Sequence, residues 1–314
     1  MAQAVARPAA ASRRRSGLAR QEATFGYLFL LPWLIGLTVF VIGPMIGAFV
    51  LSFTPYSLGR PLTFNGGANF VRAFTADPQF YNAVGRTLNW AVIYVPLSIV
   101  GALLTAMLLN QGLKGTNIFR TIFFMPHLVP IVASVYIWTY LLNPKYGLVN
   151  EILFRITHVD PGPGWFASKD WALPGLIILG LWAAIGGNQM LIFLAGLQGV
   201  PKDLYEVADL DGANGWQKFR NITLPMISPT VFFNLVLGII AALQTFSNAF
   251  VATNGGPAYA TWFYSLHIYA SAFQFGEYGY AAALAVIFFL VLVVLTTIQF
   301  QLQKRWVYYG GEVK

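Results

Sequence analysis

The chain has 314 residues, of which 57% are hydrophobic and only 10% are charged, and its net charge is +8. Soluble domains are about 45–50% apolar, so this composition excludes an ordinary soluble protein and indicates an integral membrane protein. The sequence has no Cys, which excludes disulfides, thiol catalysis and Cys-based metal sites.

The basic balance does not indicate a partner nucleic acid. Basic residues lie at the ends of apolar runs, where a bilayer sorts them, and no basic surface interleaved with aromatic residues appears. The three His residues, His127, His158 and His267, are far apart and lack the spacing of metal ligands. We therefore expect three unrelated polar side chains and no metal site.

The chain divides into five parts. Residues 1–20, rich in Ala and Arg, predict a disordered basic cytoplasmic tail. The apolar run at 21–53 is too long for a signal peptide and predicts the first transmembrane helix. We expect an extracytoplasmic loop at 54–86, a core domain of five spans at 87–303, and a cytoplasmic C-terminus at 304–314.

The core domain contains five stretches longer than the ~20 residues that a helix needs to cross hydrocarbon. They are Thr87–Asn110, Thr121–Leu142, Trp171–Gln198, Ser228–Ala252 and Ala281–Gln303. The sequence therefore predicts an all-α polytopic protein with about six transmembrane helices. With the N-terminus inside, 13 Lys and Arg residues face the cytoplasm and 6 face the other side, so the positive-inside rule predicts that both termini are cytoplasmic.

Pro and Gly residues interrupt several of these spans. Pro126 and Pro130 lie in the third span, and Gly186 and Gly187 lie in the fourth. Two interpretations are open, ordinary kinks with close packing or the broken helices of a mobile transport pathway.

Uncharged polar residues lie in the middle of the fourth and fifth spans. They are Asn188, Gln189, Asn234, Gln244, Thr245 and Asn248. Because Gln244 and Asn248 are four residues apart, we expect them to share one helix face. Amides are costly in hydrocarbon unless they are paired, so they either bond across helices or line a wet cavity.

A wet cavity of this kind would suit a neutral solute rich in hydroxyl groups. Amides would bond the hydroxyls, and the aromatic rings of Trp182, Phe246 and Phe250 would cover the apolar face of a sugar. An anionic solute normally requires Arg or Lys, which these spans lack.

The spans contain no visible source of energy or catalysis. Apart from His127, the five later spans hold no ionisable side chain, which disfavours a carrier driven by protons or sodium ions. No GxxxxGK[ST] motif is present, so the chain does not hydrolyse ATP by that route. No nucleophile–base pair or pair of carboxylates indicates catalytic residues. Energy for transport would have to enter from another polypeptide.

A charged insert at 199–227 separates the fourth and fifth spans. Pro201 stands where a helix can begin, and Leu204, Val207 and Ala208 form an apolar stripe at i, i+3 and i+4. The sequence predicts a first helix here, followed by a second one. The remaining alternative is a surface helix without a special role.

The end of the first helix and the start of the second have their own signals. Gly212 tolerates the left-handed conformation that ends helices, and Asn214 can cap a second short helix. Pro225 then breaks the chain before the fifth span. We expect a rigid pair of helices that projects from the membrane.

The insert resembles the "EAA" loop of the membrane subunits of binding-protein-dependent ATP-binding cassette importers. The family pattern is Glu-Ala-Ala, then Asp-Gly-Ala, then Ile-x-Leu-Pro. This chain reads Glu206-Val207-Ala208, Asp211-Gly212-Ala213 and Ile222-Thr223-Leu224-Pro225. "FRTIFFMPHLVPIVASVYIW" and "TNGGPAYAT" are similar to the carbohydrate class, and within it to the larger permease subunit of maltose and glycerol-phosphate systems.

The resemblance implies a type I importer permease fold, with this chain as half of a translocation pathway for a sugar. It implies as partners a second permease subunit, two copies of a cytoplasmic ATPase that binds ATP-Mg, and an extracytoplasmic solute-binding protein. The chain itself would hold no cofactor. The residues implied to couple to the ATPase are Glu206, Ala208, Asp211, Gly212, Ala213, Leu224 and Pro225. Those implied to line the solute pathway are Asn188, Gln189, Gln244, Thr245 and Asn248.

Two alternatives stay open at this point. The same type of subunit could carry glycerol-3-phosphate or another polyol-derived solute, which the lack of a cationic residue in the spans disfavours. The chain could instead be a self-sufficient secondary carrier, or, less in keeping with its residues, a membrane enzyme. The expected location is the plasma membrane of a prokaryote.

Overall fold

The first spanning segment is a nearly continuous helix. The computed structural model describes residues 17–59, 61–112, 114–159 and 162–308. Helix α1 (Gly17–Leu37) passes through a π-helical turn (Thr38–Ile42) into α2 (Gly43–Leu51). Pro44 follows this turn, and because it has no N–H it cannot make the ordinary i→i−4 hydrogen bond there. Because residues 17–20 are helical, the predicted tail at 1–20 is wrong for them, and residues 1–16 lie outside the described residues.

The segment predicted as a loop at 54–86 is partly helical. It contains the short helix α3 (Ala68–Thr75) and the start of α4 (Phe80–Leu109). The second span therefore begins before the predicted Thr87. The predicted span began after Arg86 because that residue is charged. Arg86 is only half-buried in the structure, and an Arg side chain can keep its charged head in water while the helix continues.

The third span is broken rather than straight. Helices α5 (Thr116–Leu128) and α6 (Ile131–Leu141) meet at 94°, so the span predicted at Thr121–Leu142 is a bent pair, and a break rather than an ordinary kink interrupts it. Pro130 is the cause, because it lacks an N–H and holds Val129 in an extended conformation. Helix α7 (Leu148–Thr157) follows.

The fourth span is also broken. Helices α8 (Ala172–Ala184) and α9 (Asn188–Gln198) meet at 46°. At this break the chain passes close to α5, since a Cβ atom on Gly186 would lie 1.8 Å from the carbonyl oxygen of Phe123. Only a glycine fits there, so the crossing of the two helices fixes the residue type.

The rest of the chain forms the charged insert and two further spans. The insert contains α10 (Lys202–Leu210), α11 (Gly215–Lys218), a π-helical turn (Phe219–Thr223) and α12 (Leu224–Met226). The fifth span consists of α13 (Ser228–Leu243) and α14 (Ser247–Ala252), with an irregular turn between them. Then follow α15 (Tyr264–Tyr269), a π-helical turn (Ala270–Gln274) and α16 (Tyr278–Gln303).

The helix inventory agrees with the predicted class. Within the described residues four helices are long and apolar enough to cross a membrane, and there are up to six spans if each bent pair is counted as one. The described residues form helices and turns without a β-strand. The prediction of an all-α protein with about six spans is confirmed.

Helix α4 lies at the centre of the bundle and packs against α8, α9 and α13. Lipid chains are as apolar as the side chains, so close packing rather than water exclusion holds such helices together. Small residues allow it: a Cβ atom on Gly101 would lie 2.7 Å from Ile185, and one on Gly180 would lie 2.8 Å from Tyr94. The fully buried Trp90 and Phe193 fill the space between the helices.

Candidate functional sites: a polar cavity and a charged helical loop

A cavity of about 570 Å³ lies where the helix breaks meet. Its wall includes residues from α4, from the break between α5 and α6, from the break between α8 and α9, and from α13 and α14. The points on the second, third and fourth spans are near the middle of those spans, whereas Asn248 lies near the end of the fifth. Broken helices at mid-membrane expose backbone groups and side chains to a cavity, which is how several transporter folds build a solute site.

The wall of this cavity combines apolar side chains with neutral polar groups. The polar side chains include Tyr94, His127, Ser134, Asn188, Gln189 and Asn248. No Lys, Arg, Asp or Glu is among the described residues that line it. The arrangement offers hydrogen bonds without a fixed charge, which suits an uncharged polar solute.

The structure brings together three of the five residues predicted for the solute pathway. Asn188 and Gln189 begin α9, and Asn248 lies in α14, so all three reach the same cavity. Gln244 and Thr245 do not line it among the described residues. The expectation that Gln244 and Asn248 share a helix face is wrong, because Gln244 ends α13 and the chain turns before α14 begins.

The aromatic cover is also different from the expected one. Phe246 and Phe250 stack with ring centroids 5.1 Å apart and pack on Tyr269, away from the cavity lining. Trp182 meets Trp138 edge to face. The aromatic ring in the wall is that of Tyr94, which also stacks on Trp90 at 4.5 Å.

Asn234 is a cavity residue that the site prediction omitted. It lies in α13 with 0% of its surface exposed, and neither Oδ1 nor Nδ2 has a hydrogen-bond partner among the described residues. A buried polar group left unpaired costs about 1–3 kcal/mol. Its mid-span position was visible in the sequence, but its orientation toward the cavity was not, because orientation depends on how α13 packs.

The second candidate site is the loop at 199–227, in which α10 and α11 form the predicted helix pair. Helix α10 ends at Leu210, and Gly212, whose φ is +74°, follows the C-cap residue Asp211. The N–H of Ala213 bonds Ala208 O at 2.9 Å, and the N–H of Gly212 bonds Asp209 O at 3.1 Å. These two bonds are the Schellman motif, which closes a helix at a left-handed glycine.

Side chains brace the helix pair. Lys218 Nζ lies 2.7 Å from Asp209 Oδ1 and joins α11 to α10. Asn214 and Gln217 form a reciprocal capping box at the start of α11. The hydroxyls of Tyr205 and Thr223 are 2.9 Å apart, which ties α10 to the turn before the fifth span. The predicted rigidity therefore has identifiable causes.

The outward side of this loop is apolar as well as acidic. Leu210 is 89% exposed and Trp216 is 67% exposed, and Leu204 and Val207 are exposed beside them. Glu206, in the middle of α10, and Asp211, its C-cap, are predicted coupling residues and are both exposed, whereas Ala208, Ala213 and Pro225 are half-buried. Leu224 is exposed at the base of the loop. Exposed apolar patches rimmed by polar residues mark surfaces for protein partners.

A third polar group, the Asp77–His267 cluster, joins the segment before α4 to α15 and α16. His267 Nε2 lies 2.7 Å from Asp77 Oδ2, and the hydroxyl of Tyr280 donates to the same carboxylate. Since the indole N–H of Trp262 donates to His267 Nδ1, the ring carries its proton on Nε2. His267 therefore has its own partners in this cluster, and neither His127 nor His158 is among them.

Charge and burial compete at Asp77. Desolvation raises the pKa of its carboxyl, but hydrogen bonds from Tyr280, the N–H of Gln79 and His267 outweigh it and hold the pKa below its usual value. Nearby, Arg72 forms a two-bond ion pair with Glu277. No group of three or more His, Asp or Glu side chains within the described part of the chain is placed to hold a metal ion.

Crossing and broken helices around an uncharged polar cavity, with a braced loop beyond them, define a polytopic membrane transport subunit. The chain belongs to the family described as the binding-protein-dependent transport system inner membrane component, whose model matches residues 78–308. That range contains both the cavity and the loop at 199–227. The family predicted from the motif around Glu206 is thereby confirmed.

Similar proteins cover nearly the whole chain. The probable ABC transporter permease protein YesP of Bacillus subtilis (strain 168) is 36% identical over 95% of this chain and 96% of its own length. The lactose transport system permease protein LacF of Rhizobium radiobacter is 34% identical over 92% and 97%.

A solved structure is similar too. It is the crystal structure of a bacterial alginate ABC transporter in complex with an alginate pentasaccharide-bound periplasmic protein, and one of its chains matches with a TM-score of 0.82 at 25% identity. The match covers 93% of this chain and 98% of that one. The predicted importer permease fold is confirmed, whereas the roles of individual site residues stay predictions.

Proposed function

We propose that this chain is half of the membrane pathway of an ATP-driven carbohydrate importer. It passes an uncharged, hydroxyl-rich solute through the cavity and does no chemistry on it. Energy arrives through the loop at 199–227 from a separate ATPase, which binds ATP-Mg. The proposal extends to this chain what the name of its relative LacF says of lactose, an uncharged sugar. The alginate of the similar transporter is an acidic polysaccharide, so that likeness supports the carbohydrate class and not the absence of charge.

The single observation that carries the proposal is the neutral polar wall of the cavity. Asn188, Gln189 and Asn248 offer amide donors and acceptors in this wall. Sugar hydroxyls both donate and accept, so amides match them without paying for a buried charge. A phosphorylated solute such as glycerol-3-phosphate would call for a cation, and no Lys or Arg is among the described lining residues.

The exposed tip of the loop supports the coupling role. Leu210 and Trp216 present apolar surface that a partner would cover, with Glu206 at its acidic edge. Because Gly212, the capping box and the Lys218–Asp209 ion pair hold the tip rigid, a push on it is passed to the fifth span through α12 rather than absorbed locally. We assign docking to Glu206 and the turn to Gly212.

The charge distribution supports an orientation and an assembly. With 13 basic residues on the side of the termini and 6 on the other, both termini and the loop at 199–227 face the cytoplasm. A prokaryotic plasma membrane, a second permease subunit, two ATPase copies and an extracytoplasmic binding protein complete the proposal. Helix α5 has no buried residues within this chain, which leaves its apolar surface for the second permease subunit or lipid.

The test uses the complex purified through this chain from its own organism. The associated binding protein is first screened by thermal shift against neutral saccharides, uronic acid oligosaccharides and glycerol-3-phosphate. We expect a neutral saccharide to stabilise it. Radiolabelled uptake of that saccharide into proteoliposomes should then require ATP, the ATPase and the binding protein.

Two results would contradict the proposal. The first is accumulation of solute by this chain alone under an ion gradient, which would make it a secondary carrier. The second is stabilisation of the binding protein by glycerol-3-phosphate and by no saccharide, which would replace the carbohydrate class with a phosphorylated polyol.

A further inference from the structure

Asn234 has hydrogen-bonding capacity that the protein does not use. Its side chain is fully buried in α13, and among the buried side chains of the described residues it is the one whose amide donor and amide acceptor both lack a partner. A polar side chain that holds helices together would have its partner on the neighbouring helix. Asn234 lacks one, so an interhelical role does not explain it.

The surroundings of Asn234 place this capacity at the cavity. Asn234 belongs to the cavity wall, and Gly238 follows one turn later on the same face of α13. A Cβ atom on Gly238 would lie 3.1 Å from Gln189 Nε2, so the Gln189 side chain lies across that glycine. Gln189 Oε1 is also without a partner within the described part of the chain. Two amides with unused capacity therefore line the same cavity, one of them on α13 and the other lying against α13 one turn further along.

We propose that Asn234 is a solute-binding residue that determines specificity for a vicinal diol. Its Nδ2 would donate to one hydroxyl oxygen and its Oδ1 would accept from the neighbouring hydroxyl, a pairing that an amide makes and an aliphatic side chain does not. In this conformation the amide is enclosed, and separation of α9 from α13 during transport gives the solute access to it. This inference rests on the proposed carbohydrate pathway.

An enclosed and unpaired amide lowers the stability of the resting protein. Replacing it with an apolar side chain of similar shape therefore removes the free-energy cost of the unpaired amide. A binding role thus predicts that function and stability change in opposite directions, as expected of a residue kept for function. A structural role predicts that both fall together.

The experiment compares Asn234→Leu with Asn150→Leu in the whole complex. Asn150 is the matched control because its amide is buried and fully used, with Nδ2 donating to Pro144 O and Pro163 O and Oδ1 accepting from Trp165 Nε1 at 2.6 Å. Thermal unfolding is measured in detergent. Radiolabelled uptake is measured in proteoliposomes with a panel of neutral mono- to tetrasaccharides, each over a range of concentrations.

We expect Asn234→Leu to raise the half-saturating saccharide concentration roughly 5- to 150-fold, the range for losing one or two hydrogen bonds to a ligand. Its unfolding temperature should equal or exceed that of the wild type. Asn150→Leu should unfold at a lower temperature, and its folded fraction should keep the wild-type half-saturating concentration. The wild-type complex should discriminate against deoxy analogues that lack one hydroxyl of the diol. The Asn234→Leu complex should discriminate against them less.

Three results would overturn the inference. Unchanged half-saturation in Asn234→Leu would show that the solute does not use the amide. A fall in unfolding temperature as large as that of Asn150→Leu would assign Asn234 a structural role. Failure of the wild-type complex to take up any saccharide would overturn the proposed function itself, and this result is distinguished from the others because it needs no variant.

Discussion

Gly212 provides a direct test of the coupling loop. At its φ of +74° an alanine is strained, although no atom lies within 4 Å of the position that its Cβ would occupy. The cost of Gly212→Ala is therefore conformational rather than steric, about 1–2 kcal/mol for a residue with a side chain in the left-handed region.

The structure can respond to this cost in two ways. Either the alanine stays left-handed under strain, or the turn relaxes and gives up the bonds from Ala213 N–H to Ala208 O and from Gly212 N–H to Asp209 O. Both reduce the population of the loop conformation in which these two backbone bonds are intact, by a factor of about 5–30 for 1–2 kcal/mol. If that conformation is the form that the ATPase binds, association should weaken by the same factor.

The assay is the ATPase bound per permease chain in the purified complex, measured as a function of concentration, together with ATP hydrolysis stimulated by the loaded binding protein. Gly215→Ala is the matched control. It lies three residues away, starts α11 without a positive φ, and also has no atom within 4 Å of its Cβ position. An alanine there favours the helix, so association should be unchanged. Equal behaviour of the two variants would refute the reasoning.

Three further predictions concern the rest of the molecule. Gly186→Ala should prevent correct packing, because the new Cβ would lie 1.8 Å from the carbonyl oxygen of Phe123, and overpacking costs about 1–3 kcal/mol or more. The yield of monodisperse protein should therefore fall, and a wild-type yield would contradict this prediction. Asp77 has a lowered pKa in the folded protein, so its ionised carboxylate should stabilise the folded protein. This contribution should be complete above the ordinary carboxyl pKa near 3.9 and lost as the pH falls through the lower folded value. Unfolding temperatures from pH 3 to 7 should show this loss in the wild type and not in Asp77→Asn. Asn248→Leu should weaken solute-stimulated ATP hydrolysis, since Asn248 lines the cavity; unchanged stimulation would leave it a helix-packing residue.

Much of the local structure could be read from individual residues. Gly212 and Asn214 predicted the end of α10 and the cap of α11, and both features are present because capping depends on a few neighbouring backbone groups. The six apolar stretches likewise predicted the spans, since crossing hydrocarbon demands length and composition that nothing else in the sequence imitates.

The predictions failed where helices meet. Apolarity alone did not reveal the 94° bend at Pro130, because a proline in a membrane helix is compatible with either a mild kink or a full break. Gln244 and Asn248 satisfied the spacing of a shared face but are separated by a turn. His267 and Asp77 are 190 residues apart in the chain, so no local pattern could have paired them.

The sequence by itself determined that this chain lies in a membrane, how many times it can cross, where its charged loop begins and ends, and to which family it belongs. These properties follow from composition, run length and short motifs, all of which act over a few turns of helix. Only the tertiary structure decided which amides share a cavity and that Asn234 stands in it unpaired. Side-chain orientation in a lipid-embedded bundle is set by the close packing of glycine and alanine between helices, and that packing is a property of pairs of distant segments.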